Sequence, residues 1–209
     1  MAHNIIHEKT NTVETNSRFG RFLLHRWDNS KTKEDLVKVK EFGKTIYREA
    51  GYSDYETSDL DEWSKWFYVT YDGELQAATR IVIKTNDNLI PLEIALRHPS
   101  QKNYKVNKTG IADWNSVTFK QTILGAFAFR IAAKAVAGYC LYKKINLVYG
   151  MINPKWTGLQ RVYYEKGAIN SQEFPDLVYF PGCELNGEIA LFQLIEIGEK
   201  ALQKLASNL

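Results

Sequence analysis

The residues of this chain best suited to chemistry fall into three groups. Glu93 sits inside the apolar run Leu89-Ile90-Pro91-Leu92-Glu93-Ile94, and Asp113 directly precedes Trp114. Apolar neighbours push a carboxyl group towards neutral pH, which suits a general base. The plainer alternatives are an ion-paired or solvated loop charge for Glu93 and an acid at a strand end for Asp113. The second group, Lys120-Gln121-Thr-Ile-Leu-Gly125-Ala126, reads as a basic helix start. Backbone N–H groups exposed there favour an anion. The third group, Tyr163-Tyr164-Glu165-Lys166-Gly167, closes a short helix with two phenols just before a glycine stop.

Other chemistries lack their signatures. His3, His7, His25 and His98 are dispersed, with no HExxH or paired spacing, so no metal site is expected. There is no Gly-x-Ser-x-Gly elbow and no Walker or Rossmann glycine pattern. Cys140 and Cys183 form no framework and read as two reduced thiols of a cytoplasmic protein. The 27 Lys and Arg against 24 Asp and Glu give a net charge of +3, which permits an acidic partner. The basic residues are scattered without an aromatic-interleaved RNA-binding signature, so no nucleic acid is expected. No window approaches a charge-free apolar span, so no membrane span is expected either.

The elements that must position these groups can be read from periodicity. At 209 residues, 44% hydrophobic and 24% charged, the chain suits one globular domain. Residues 1–20 are polar and read as a loosely ordered arm, leaving a single domain over 21–209. A helix is predicted from residue 32, capped by Ser30 or Thr32, with Glu34 and Asp35 in its first turn and Gly51 at its end. Residues 66–71 and 74–84 flank Asp72-Gly73, a strong hairpin signal. Residues 85–110 read as a long loop serving substrate or only partly ordered. A strand over 111–119, an Ala-rich helix over 121–144 and a strand over 145–151 follow. Then come the Asn153-Pro154 helix start, a strand over 177–180 and a C-terminal helix over 189–206. The sum is a mixture of helices and strands with a mixed sheet.

This order resembles the GNAT acyltransferases. The resemblance implies an α+β fold whose mostly antiparallel sheet is flanked by helices and splayed near the long helix. It implies that Tyr163, four residues before Gly167, stands beside a thioester sulfur and protonates the leaving thiolate, with Tyr164 its substitute if the register is one off. Lys120, Gln121, Gly125 and Ala126 resemble the family's donor loop with one residue added and the second glycine missing. That favours a phosphopantetheine arm on a carrier protein over coenzyme A held in the standard way.

A second resemblance spans residues 36–170. Ile46-Tyr47-Arg48-Glu49-x-Gly51-Tyr52, Asp59-Leu-Asp61-Glu62-x-x-x-Trp66-Phe67, Gly73 and Arg80-Ile81 look like the acyl-homoserine-lactone (autoinducer) synthases. They look still more like the long-chain N-acyl amino acid synthases. Arg80 then helps organise the site, and Asp59 and Asp61 approximate an acidic pair. Asn115-Ser116-Val117-Thr118-Phe119 stands where autoinducer synthases carry Glu-x-Ser-Arg-Phe, so Asn115 and Thr118 replace the acid and the arginine. An amide accepts no proton at a useful pKa, which tells against lactone synthesis.

The expected activity is therefore transfer of a fatty acyl group from acyl carrier protein or coenzyme A to the amine of an amino acid or similar small amine. Glu93, Asp113 or a water relay would take the amine's proton. Backbone N–H groups near Ser116 and Thr118 would polarise the thioester carbonyl. Trp63, Trp66, Phe67, Trp114, Phe127 and Phe129 either line an acyl pocket or pack the core. Lys143, Lys144, Lys155, Arg161 and Lys166 either steer an acidic carrier or form a solvated face. No resident cofactor is implied. The alternatives are an autoinducer synthase using S-adenosylmethionine and a silent module that binds acyl chains or carrier protein.

Overall fold

Asp72 and Gly73 both take left-handed backbone angles, with φ of 47° and 88°. Such a pair turns the chain in register with the twist of the flanking strands. In the computed structural model, which describes residues 12–17, 20–53 and 59–207, this turn joins two central strands. The chain begins with β1 (Thr12–Ser17) and β2 (Gly20–Asp28), then α1 (Glu34–Glu49), followed by the hairpin β3 (Ser64–Tyr71) and β4 (Glu74–Ile83). Short elements α2 (Pro91–Ile94) and β5 (Leu96–Arg97) precede β6 (Ala112–Phe119), α3 (Ile123–Tyr142), β7 (Leu147–Ile152) and α4 (Thr157–Tyr164). Four short strands, β8 (Ile169–Asn170), β9 (Val178–Tyr179), β10 (Glu184–Leu185) and β11 (Glu188–Ile189), lead to β12 (Gln193–Gly198) and α5 (Glu199–Ser207).

Eight strands form one sheet in the order β1-β2-β3-β4-β6-β7-β12-β8. Every pairing is antiparallel except β6 with β7. The sheet is therefore mixed and mostly antiparallel, as expected. Alternation sends successive side chains to opposite faces. Ile81, Trp114 and Ile195 join the core beneath α3 and α5. Val82, Tyr149 and Leu194 pack against the segment 85–110. Trp66, Tyr68 and Ala78 receive α1 through Leu36 and Val39.

The parallel pair is the unusual part of the sheet. Ala112, Asp113 and Trp114 pair with Val148, Tyr149 and Gly150, and there the ladder stops. Beyond that point β6 and β7 separate. On its other edge β6 carries a bulge: Arg80 faces Asn115 and Ala78 faces Thr118, so Thr79 opposes both Ser116 and Val117. Ser116 sits at φ 50°, a conformation L-residues take at a cost. Bulges bend a strand and re-aim its side chains.

Several expectations change. Residues 85–110 are not a loose loop, because Ile90, Leu92, Ala95 and Val106 are buried there. The expected C-terminal helix begins only at Glu199. Leu194, Ile195 and Ile197 enter the sheet as β12, whose β-branched residues suit a buried strand. Residues 178–179 form a strand that pairs with β5, outside the large sheet. The N-cap of α1 is Lys33, with no side-chain cap from Ser30 or Thr32. Part of the expected arm, Thr12–Ser17, is strand β1, while residues 1–11, 18 and 19 lie outside the described residues. Among the described residues, only α3 has the length and mean hydropathy (1.4) that would suit a membrane span. Half of that window is buried inside the fold, and α3 packs on the sheet and α5.

Candidate active site

The parted strands leave a cavity of about 130 Å³. A single water needs roughly 10–15 Å³ on this measure, so the space suits an organic ligand. It runs between β6 and β7 from one face of the sheet to the other. On the α3 side Trp114, Leu159, Tyr163 and Ile195 make an apolar wall. On the α1 side Lys44, Tyr47, Arg80 and Asn115 make a polar one. Lys44 and Arg80 are its only charged lining residues, and no carboxylate or imidazole lines it among the described residues.

Tyr163 comes from the last turn of α4 and is 3% exposed. Its ring meets Trp114 edge-on at 5.3 Å, and Trp114 donates its indole N–H to Thr79 Oγ1 at 2.6 Å. The Thr79 bond thus anchors the Trp114 ring against which Tyr163 packs. Burial, reinforced by the nearby Tyr47 phenol, pushes the Tyr163 pKa far up. The hydroxyl stays protonated at neutral pH. Tyr164 instead points to the exterior and donates to Asn170 Oδ1 at 2.5 Å.

Arg80 is 2% exposed, and its Nε donates to Asn115 Oδ1 at 2.6 Å. Its guanidinium lies over the Trp66 ring at 5.4 Å. Trp66 itself is a core residue outside the cavity. Asn115 Nδ2 donates to Asp113 Oδ1 at 3.0 Å, and Leu92 N–H donates to Asp113 Oδ2 at 3.0 Å. Asp113 is wholly buried, and desolvation pushes its carboxyl up to about 6, against the lowering effect of Asn115 and Leu92. It does not line the cavity.

Glu93 is likewise remote. Its carboxylate accepts from Lys84 Nζ at 2.7 Å and from the backbone N–H groups of Ile90 and Val106, each at 3.1 Å. The ion-pair alternative holds here, because these partners commit both oxygens to securing segment 85–110. Neither sequence-predicted base reaches the cavity.

Comparison with known proteins agrees with this geometry. No family model matches the sequence, and no curated protein matches it. Among solved structures, FeeM, an N-acyl amino acid synthase from uncultured soil microbes, aligns with TM-score 0.61 at 12% identity over 92% of this chain and 97% of its own. A probable acetyltransferase from Staphylococcus epidermidis aligns at 0.54 and 12% identity, covering 85% and 98%. BjaI, a CoA-dependent acyl-homoserine lactone synthase solved with SAM and isopentyl-CoA, aligns at 0.53 and 15% identity, covering 87% and 86%.

The fold is GNAT-like. Within this GNAT-like frame the predicted donor loop lies outside the cavity, at the start of α3. Thr122 caps the helix by accepting from Gly125 N–H at 3.0 Å. Lys120 pairs with Glu74 at 3.2 Å, while Gln121 and Ala126 are exposed. Ser116 lines the cavity, whereas Thr118 is buried and donates to the Ala78 carbonyl at 3.3 Å. Of the six predicted pocket aromatics only Trp114 lines the wedge; Phe67 and Phe129 are core. Lys155 and Arg161 pair with Glu188 and Glu165 on the surface.

Sequence reasoning placed Arg80 in the site but gave no role there to Lys44, Tyr47 or Tyr52. Lys44 and Tyr47 lie one helical turn apart, and Tyr52 follows the Gly51 stop. Tyr52 is buried, accepts from Asn153 Nδ2 at 3.1 Å, and burial raises its pKa to about 12. The signal was a helix face carrying one cation and one phenol where core residues would be apolar. Cys183 also lines the wedge, its thiol pushed up to about 11 by burial.

Proposed function

We propose that this protein is an N-acyltransferase that moves a fatty acyl group from a thioester to the amine of an amino acid or similar small amine. The observation that carries the reading is the wedge between β6 and β7, with a protonated, buried phenol on its apolar wall and two cations on its polar wall. FeeM is an N-acyl amino acid synthase and BjaI an acyl-homoserine lactone synthase, and their shared architecture supports acyl transfer here. The donor is acyl carrier protein or acyl-CoA, and the setting is the cytoplasm.

In this scheme the thioester lies along the β6 edge past Trp114, where no β7 residue pairs. Backbone N–H groups of the bulge around Ser116 and Val117 take the place of solvent at the carbonyl oxygen. The acceptor nitrogen attacks the carbonyl carbon, and the tetrahedral oxyanion collapses with loss of the thiolate. Tyr163 gives its proton to the sulfur and is reprotonated from the ammonium of the new amide through water. Lys44 and Arg80 receive the acceptor's carboxylate. Because no carboxylate or imidazole among the described residues lines the wedge, the amine is taken to arrive as the free base in this scheme. The two cations assist by disfavouring its protonated form.

Incubation with long-chain acyl carrier protein or acyl-CoA and a mixture of amino acids should yield N-acyl amino acids by mass spectrometry. Absence of such products with active donor controls overturns the reading. Adding S-adenosylmethionine separates the autoinducer-synthase alternative, which would give a lactone. Asn115 in place of an acid argues against that product. Tight carrier binding without turnover would instead favour a silent binding module.

A further inference from the structure

Asp113 is buried, charged and one step away from the cavity, so the chemistry above leaves it without a task. We infer that Asp113 is a positioning residue: through the side-chain amide of Asn115 it sets the orientation of Arg80, the guanidinium that receives the acceptor. This rests on the acceptor-binding reading of Arg80.

The geometry leaves the Asn115 amide one orientation. Its Nδ2 donates to the Asp113 carboxylate at 3.0 Å and to the Asp113 carbonyl at 3.1 Å. Its Oδ1 accepts from Arg80 Nε at 2.6 Å and from the Ser116 hydroxyl at 3.1 Å. An asparagine amide has two N–H donors and one oxygen with two lone pairs, so its capacity is filled. Turned over, it would point N–H groups at the guanidinium and its oxygen at a carboxylate. Both contacts become repulsive, and the charge-assisted bond to Arg80 is lost.

Asp113 is itself anchored, since Leu92 N–H holds its other oxygen at 3.0 Å. The charged groups acting on it are Arg80 from β4 and Glu93 from α2, the latter paired with Lys84. A chain of contacts thus runs from the α2 backbone through Asp113 and Asn115 to Arg80. Trp66 fixes the face of the same guanidinium. With edge and face both held, the plane of Arg80 is defined before a ligand arrives. The amide also acts as a spacer. A carboxylate at position 115 would neutralise Arg80 directly, whereas a neutral amide passes on the orientation and leaves more positive potential for an incoming anion.

The decisive experiment compares Asp113→Asn with the exchange Asp113→Asn/Asn115→Asp. In the single variant, the amide at position 113 must turn an N–H group towards either Leu92 N–H or the Asn115 amide. In the exchange the bond between the two side chains is regained with donor and acceptor reversed, those from Leu92 N–H and Arg80 Nε keep their direction, and only the bond to the residue-113 carbonyl is lost. The first readout needs no substrate: the Arg80 Nε–H resonance in 15N-labelled, ligand-free protein. It should exchange slowly with solvent in the wild type, be lost to exchange in Asp113→Asn, and return in the exchange variant. In the acyl-transfer assay, Asp113→Asn should raise the acceptor KM roughly 10- to 100-fold, the worth of one charge-assisted hydrogen bond. Donor KM should stay unchanged, and the exchange, which sets a carboxylate against Arg80, should restore the resonance but not the acceptor KM. A retained Arg80 resonance and acceptor KM in Asp113→Asn would overturn the inference, as would an exchange variant of wild-type stability that does not recover the resonance. Should Asp113→Asn not fold, the exchange variant decides alone. If the wild type makes no N-acyl product, the proposed function fails, and the resonance still decides whether Asp113 orients Arg80.

Discussion

Residues with matching chemistry separate sharply once burial and partners are known. Tyr163 was legible because its spacing to Gly167 placed a phenol at the end of a short helix, and the fold puts it on the wedge. Replacing it by Phe should lower turnover by roughly 10²–10⁴, the usual worth of a general acid. Stability should hold, because Phe keeps the buried ring and its edge-on contact with Trp114. Measuring kcat beside urea unfolding checks both halves, and unchanged kcat removes Tyr163 from the mechanism. Glu93 was misread because the neighbouring apolar residues signalled burial but not its partner. Lys84, nine positions earlier, reaches it only when the end of β4 folds over α2. Glu93→Gln strands the buried ammonium and should destabilise the fold by about 3–5 kcal/mol. Turnover per folded molecule should be kept, and its collapse in protein that is still folded would restore Glu93 as a base.

Elements carry the site by where they end. The Asp72-Gly73 hairpin was legible because its turn chemistry is local, and the long α3 because small and apolar residues persist through it. The strand β12 was not, since Ile189, Leu191, Phe192, Leu194, Ile195 and Ile197 also fit an apolar helix face. Only the vacancy beside β7 makes Leu194, Ile195 and Ile197 a strand. The bulge at Ser116 was likewise hidden, because it depends on register against β4 rather than on residue type. At the start of α3, Gly125 has a clear steric reason. A Cβ there would lie 2.0 Å from the Lys120 carbonyl oxygen, which is backbone and cannot swing aside. Gly125→Ala should therefore displace the 120–125 turn and cost about 1–3 kcal/mol, the range for forced overpacking. Chemical denaturation gives the loss. Donor KM should rise with it if this helix start holds the donor, while the acceptor KM should not change.

At the scale of the whole molecule, the sheet is two blades joined by a short seam. Strands β1, β2, β3, β4 and β6 form one blade and β7, β12 and β8 the other. The seam is the three-residue pairing of 112–114 with 148–150. Packing of α3 against α5, with Leu202 and Leu205 buried, keeps the blades together where the backbone does not. Burial of two such leucines is worth about 1.5–3 kcal/mol each, so the wedge can stay open without parting the sheet. An open edge has a dynamic cost. Amides that lack ladder partners exchange through small local openings rather than through global unfolding. Beyond the seam β6 pairs only with β4 and β7 only with β12, so those backbone amides of 115–117 and 151–153 that face the wedge should exchange faster than those of 112–114 and 148–150 in the free protein. A non-hydrolysable acyl-pantetheine that spans the wedge should reverse this order, protecting 115–117 and 151–153 more than the seam. It should also raise global stability by about 2.7 kcal/mol at a hundredfold excess over its Kd. Hydrogen exchange read by mass spectrometry resolves the two sets of peptides. Protection that rises evenly along both strands, or only on the surface of α3, would place the donor outside the wedge.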